Sequence, residues 1–126
     1  MKLMLKDYKV LNLNFEILSE QNIEDQFNLK VGQMFSEEEK EKSFGIGFIV
    51  EIMSNSYKIK LEMRFFFESD EIIDDNFKKS SFPKVNAPAI AFPYLRAYIS
   101  NLTMQSGFTP LLLPSINFIE FAGSNQ

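Results

Sequence analysis

The sequence predicts an α+β fold: a four-stranded antiparallel sheet with a long helix and a short C-terminal helical segment packed on one face. Two observations carry this. Four consecutive stretches between Tyr8 and Phe67 alternate apolar and polar residues with a period of two, the pattern of half-buried strands. From Asn86 onward, twenty-one residues contain one charge, Arg96, and a helix that apolar cannot face water. A sheet with one apolar face needs a covering layer, and the helix is the large apolar element available to supply it.

The first strand, over 8–18, sets Leu11, Leu13, Phe15 and Ile17 against Asn12, Asn14 and Glu16. A polar connection from Ser19 to Asp25 leads to Phe27, Leu29, Val31 and Phe35, the even-spaced face of a second strand. The charged segment Ser36 to Lys42 reads as a hairpin loop before Phe44, Ile46, Phe48, Val50 and Ile52. Ser54 to Ser56 form a turn, and the fourth strand follows with Tyr57, Ile59, Leu61, Met63, Phe65 and Phe67 alternating with polar residues. The four strands are expected to meander. Gly45 and Gly47 fit either a close backbone approach or a bulge.

Residues 69–84 form a crossover holding Ile72, Ile73, Phe77 and Phe82 among charges. The long helix should begin at Asn86 as N-cap, with Pro88 in its first turn, and stop at Gly107, where a left-handed residue is cheapest. Pro93 lies inside it and should kink it. Phe92, Leu95, Ile99 and Leu102 form one apolar stripe, and Ile90, Tyr94, Ala97 and Tyr98 form a second. One stripe fills the subunit's own core; the second predicts an oligomer interface. Pro110 and Pro114 prevent a regular helix, so Leu111, Leu112 and Leu113 belong to an extended arm that precedes another apolar set, Ile116, Phe118, Ile119 and Phe121.

A chain of 126 residues is expected to form a single domain over residues 1–126. It has no His and no Cys, which excludes imidazole catalysis, a thiolate nucleophile, a disulfide and a Cys/His zinc site. Asp74 and Asp75 are adjacent loop acids without ligand spacing, and Gly45-Ile46-Gly47 is too short for a phosphate loop. The expectation is a protein that is not an enzyme, needs no cofactor or metal, and works by binding. Seventeen acidic against thirteen basic residues give a net charge of -4, the wrong sign for a nucleic-acid partner. The N-terminal residues turn polar too soon for a signal peptide, and no apolar run suggests membrane insertion, so a cytoplasmic location is expected.

Three motifs carry a family likeness: Ala-Pro-x-x-x-Phe-Pro-Tyr-x-Arg from Ala87 to Arg96, Gly-Phe-x-Pro from Gly107 to Pro110, and Leu-x-Pro-x-x-Asn-Phe from Leu112 to Phe118. In residue type and order this third of the chain resembles the SecB-type protein-export chaperones. The resemblance implies a four-stranded sheet with helices on one side, pairing of monomers through their sheets, and a helical layer between dimers, hence a homodimer or homotetramer. It also implies ATP-independent binding of unfolded or partly folded polypeptides in apolar grooves, for which the matching positions are Ile23, Phe27, Leu112, Phe118, Ile119 and Phe121. Export members pass clients to the translocase motor SecA through acids on the sheet; Glu16 and Glu62 are the corresponding candidates. Two departures stand out. Five residues follow Phe121, so the second helix of the export chaperone is expected to shrink to a turn or two here, without the acidic tail that contacts SecA.

Three functions compete on this reading. The first is a holdase for non-native polypeptides. The second is a dedicated partner binder, such as an antitoxin chaperone or assembly subunit. The third is a small-molecule carrier, ranked lowest.

Overall fold

The computed structural model describes residues 2–19 and 23–124, so residues 20–22 of the polar connection lie outside the described residues. The chain forms two compact units, Met1–Ile72 and Ile73–Gln126.

The first unit is a four-stranded antiparallel sheet of β1 (Leu3–Ile17), β2 (Gln26–Phe35), β3 (Ser43–Met53) and β4 (Tyr57–Ser69), in the order β1-β4-β3-β2. Strands two to four meander as expected, but β1 lies beside β4 instead of β2, which corrects the expectation of a four-strand meander. The link after β1 runs past the β3–β4 turn. Leu18 N donates to Ser56 O at 2.8 Å, and Ile23 N donates to Asn55 Oδ1 at 2.6 Å. Residues 54–56 thus make a tight turn and a fastening for the connection that reaches the opposite edge.

The apolar face of this sheet is formed by the odd-numbered residues of β4 and the even-numbered residues of β3. Ile46, Phe48, Val50, Ile59, Leu61, Met63 and Phe65 are fully buried. Phe44 stacks on Phe67 at 5.5 Å, and Phe48 meets Phe65 edge-on at 5.6 Å, offset geometries that suit ring quadrupoles.

β1 starts five residues earlier than expected and changes parity twice. Its register against β4 slips between Leu5 and Asp7 and again between Val10 and Asn12. Leu3 and Leu5, then Tyr8 and Val10, then Leu13, Phe15 and Ile17 therefore all oppose odd-numbered residues of β4. The apolar pattern changes from odd to even and back at the same two points, so each bulge keeps the greasy side chains on one face. Leu11, expected on that face, sits instead at the second bulge.

Gly45 and Gly47 lie in an unbroken stretch of β3 pairing, which decides for close approach over a bulge. A Cβ at Gly45 would stand 3.1 Å from Met34 Cε, and one at Gly47 3.4 Å from it. The missing side chains let Met34 lie across β3.

The second unit contains α1 (Asp75–Lys79), a π-helical turn (Phe82–Asn86), α2 (Ala87–Gln105) and α3 (Phe118–Ser124). Asp74 caps α1, its carboxylate accepting from Phe77 N at 2.8 Å, and the Phe77 and Phe82 rings stack at 5.8 Å. The expected start of α2 holds in position but not in mechanism. Asn86 has helical φ and ψ and its side chain makes no capping bond, because the π-helical turn winds directly into α2. At the other end Gly107 has φ +95°, Phe108 N donates to Thr103 O and Gly107 N donates to Met104 O. This is a Schellman ending, at the residue the sequence designates.

Candidate functional site

Thr103 ties the arm that follows to the helix. Fully buried, its Oγ1 lies 3.0 Å from Ile99 O, to which it donates, and accepts from Leu111 N at 2.9 Å. Leu113 is buried, while Leu112 between these two anchors is 75% exposed. The arm ends where Asn117 caps α3, accepting at Oδ1 from Ile119 N at 3.0 Å and from Glu120 N at 3.3 Å. In α3, Phe118 is buried, edge-on to Phe92 at 5.6 Å and to Phe121 at 5.7 Å. Ile119 is 71% exposed and Phe121 partly so.

Of the candidate contact residues in this unit, Leu112 and Ile119 are thus open to a ligand, and Phe121 is partly so. Phe118 departs from the expectation: it is a buried support beneath Phe121, because its ring fills the angle against Phe92. In the sheet unit, Ile23 and Phe27 are both half-buried. Phe27 opposes Ile52, which opposes Ile59, so it extends the apolar face toward the β2 edge.

The second stripe of α2 is exposed as its spacing implies. Ile90 is 40% and Tyr94 45% accessible, Ala97 is exposed, Tyr98 is partly covered, and Met104 continues the line. On the first stripe Phe92, Leu95 and Ile99 are buried and Leu102 is partly covered, with Ala91 and Thr103 buried alongside them. Glu16 and Glu62 share the polar face of the sheet, which we call its outer face; Glu16 opposes Lys58, and Glu62 opposes Asn12.

Two features were missed by sequence reasoning. The apolar residues of β1 stay open at the sheet edge, with Ile17 69% exposed and Tyr8, Val10 and Leu13 also accessible. The parity changes in β1 were their signal. The outer face also carries a hollow over Gly32 and Gly47, which only the strand register brings together.

Among the described residues no group of three or more His, Cys, Asp or Glu is placed to hold a metal ion. No described helix is long and apolar enough to cross a membrane. Tyr57 is the one described side chain with a resolved titration shift: burial pushes its hydroxyl up, the hydrogen bond with Ser54 lowers it, and the charge of Asp25 raises it.

Residues 4–124 match the model of the SecB family, described as preprotein translocase subunit SecB. An uncharacterized protein of Methanocaldococcus jannaschii is 42% identical over 60 residues, 47% of this chain and 37% of that protein. The protein-export protein SecB of Anaplasma phagocytophilum is 39% identical over 51 residues, 40% of this chain and 31% of that protein. The chain therefore spans about a third of the length of these relatives.

Two solved structures share the fold. A SecB-like chaperone of Mycobacterium tuberculosis, in complex with a ChAD peptide from an antitoxin, superposes with a TM-score of 0.71 at 11% identity, covering 90% of this chain and 87% of that one. A Streptococcus agalactiae protein of unknown function gives 0.64 at 12% identity, covering 91% and 98%.

Proposed function

This chain belongs to the SecB family, and from that premise we propose that it is an ATP-independent holdase that binds non-native polypeptides through exposed apolar side chains. Leu112 and Ile119 carry the reading: both stand more than two-thirds exposed, and Ile119 follows the buried Phe118 in α3. Apolar burial is favourable by about 25 cal/mol per Å², and native proteins have hidden the surface that could supply it, so such a patch selects foldedness over sequence. Phe121 belongs to the same set, with Phe118 packed edge-on against it, and in the sheet unit Ile23 and Phe27 are the candidate contacts. The protein acts as a single domain over residues 1–126, without enzymatic activity, in the cytoplasm.

Self-association is part of this reading. The Ile90, Tyr94, Ala97 and Tyr98 stripe on α2 and, in the sheet unit, the open edge of β1 each expose apolar side chains that a homodimer or homotetramer would cover. Glu16 and Glu62, on one face of the sheet, are the surface offered to SecA.

A second reading draws on the antitoxin peptide bound by the SecB-like chaperone of Mycobacterium tuberculosis: a binder dedicated to one partner. One experiment separates the two. The chain is added without ATP to a slowly refolding, aggregation-prone protein; stoichiometric suppression is expected, and Leu112→Ser with Ile119→Ser should weaken it by up to about 30-fold, from about 2 kcal/mol of lost apolar burial shared by the pair. No suppression at several-fold excess rejects the general holdase.

A further inference from the structure

On the outer face of the sheet one depression has a floor of bare backbone. Gly32 of β2 opposes Gly47 of β3, and Arg64 of β4 and Lys9 of β1 complete the same rung. Two neighbouring absent side chains open a hollow of about 260 Å³, lined by Lys30, Gly32, Met34, Gly47, Glu62 and Arg64 among others. On the adjoining rung Met34, Gly45 and Phe66 stand side by side, and there a broader cavity of about 640 Å³ begins. Arg64 and Met34 line both.

Arg64 distinguishes this hollow from an ordinary dent. Its Nε is buried and meets no acceptor from the protein. A buried guanidinium N–H without an acceptor is costly, and the planar fork of donors matches a planar two-oxygen acceptor, of which the carboxylate is the one a polypeptide carries without modification. Two cations, Lys30 and Arg64, line the hollow against one acid, Glu62, although the chain as a whole is acidic.

We propose that the hollow docks an extended segment of a partner polypeptide carrying a carboxylate and, two residues away, a large apolar side chain. Arg64 receives the carboxylate, and Met34 with Phe66 receives the apolar group. The spacing follows from strand geometry: side chains on one face of an extended chain recur about every 6.8 Å, the interval that also separates Arg64 from Phe66 along β4. Met34 already reaches over Gly47, so it is the bare backbone at Gly32 that lets the carboxylate sink beside the guanidinium, where a side chain on β2 would hold it off. This contact is charged, lies on the outer face, and does not depend on the holdase reading.

The test is an NMR titration of the full ¹⁵N-labelled chain with a blocked Ser-Glu-Ser-Phe-Ser peptide, reading the amides of Gly32 and Gly47. Saturable shifts at these two glycines are expected. Replacing the peptide's Glu by Gln, or Arg64 by Gln, should weaken binding at least about tenfold through loss of the charge-assisted bonds. Gly32→Val should abolish it by filling the hollow, and the fold should accept the change because a Cβ at Gly32 meets nothing within 4 Å. Equal binding of the Glu and Gln peptides, undiminished binding by Gly32→Val, or no shift at millimolar peptide, with water alone satisfying Arg64, would each overturn the proposal. Should Arg64→Gln fail to fold, the Gln peptide and Gly32→Val still decide it.

Discussion

Replacing Thr103 by Val removes one oxygen and keeps the side-chain outline, yet it should loosen the arm that presents Leu112. The hydroxyl donates to Ile99 O and accepts from Leu111 N, and the site is fully buried. Val can do neither, so Leu111 N–H loses its acceptor. An intramolecular hydrogen bond contributes about 1 kcal/mol, and stranding its part-buried partner brings the loss to about 1–2 kcal/mol. For a chain of 126 residues, with an unfolding entropy of about 2.1 cal/mol/K per residue, that lowers the melting temperature by about 4–8 °C.

Two assays read the effect. Thermal melts give the stability loss, and hydrogen exchange at the Leu111 amide shows whether the arm has been released. Thr103→Ser keeps the hydroxyl and should keep Leu111 protected, even though it, unlike Val, loses a buried methyl. Aggregation suppression should fall for Val and not for Ser, because only Val frees the arm. If Thr103→Val leaves Leu111 exchange unchanged, the anchoring argument is wrong.

Two further outcomes are expected. Ile90→Asp combined with Tyr94→Asp places charges on the open stripe of α2 and should reduce the molar mass in light scattering to that of one chain without lowering the melting temperature of that chain; an unchanged assembly removes the stripe from the interface. Tyr57 should make the protein sensitive to alkali. Burial, aided by Asp25 and opposed by the Ser54 hydrogen bond, raises its pKa above the ordinary 10.0, so above that pH the folded chain retains a proton that the unfolded chain releases, and stability falls as pH rises. Tyr57→Phe should flatten that part of the slope between pH 9 and 11, and identical slopes for the two proteins would exclude Tyr57 as its source.

Strands two to four were legible because each has an unbroken period of two, and their ends fall within two residues of the turns read from Ser36–Lys42 and Ser54–Ser56. The end of α2 was legible because one residue, Gly107, takes a backbone angle other residues resist. Strand order was not. Alternation tells which face a residue takes and nothing about which strand lies alongside, and β1 joins β4 through hydrogen bonds whose partners are far apart in sequence. Phe118 misled for a similar reason: hydrophobicity marks it and Ile119 alike, and only the turn of α3 sends one inward against Phe92 and the other out. The hollow beside Arg64 was invisible because Gly32 and Gly47 are fifteen positions apart and become neighbours only in register.

The double slip in β1 bears on how this protein avoids sticking to itself in the wrong way. Its outer edge offers fifteen residues, several of them oily, which as a flat ribbon would template fibrous stacking. The irregularities at Lys6 and Leu11 chop that ribbon into lengths of three, four and six regularly spaced residues. A stray strand laid along it loses its hydrogen-bond rhythm within a few residues. The edge therefore rejects indiscriminate neighbours and admits only one whose own backbone carries a complementary stagger.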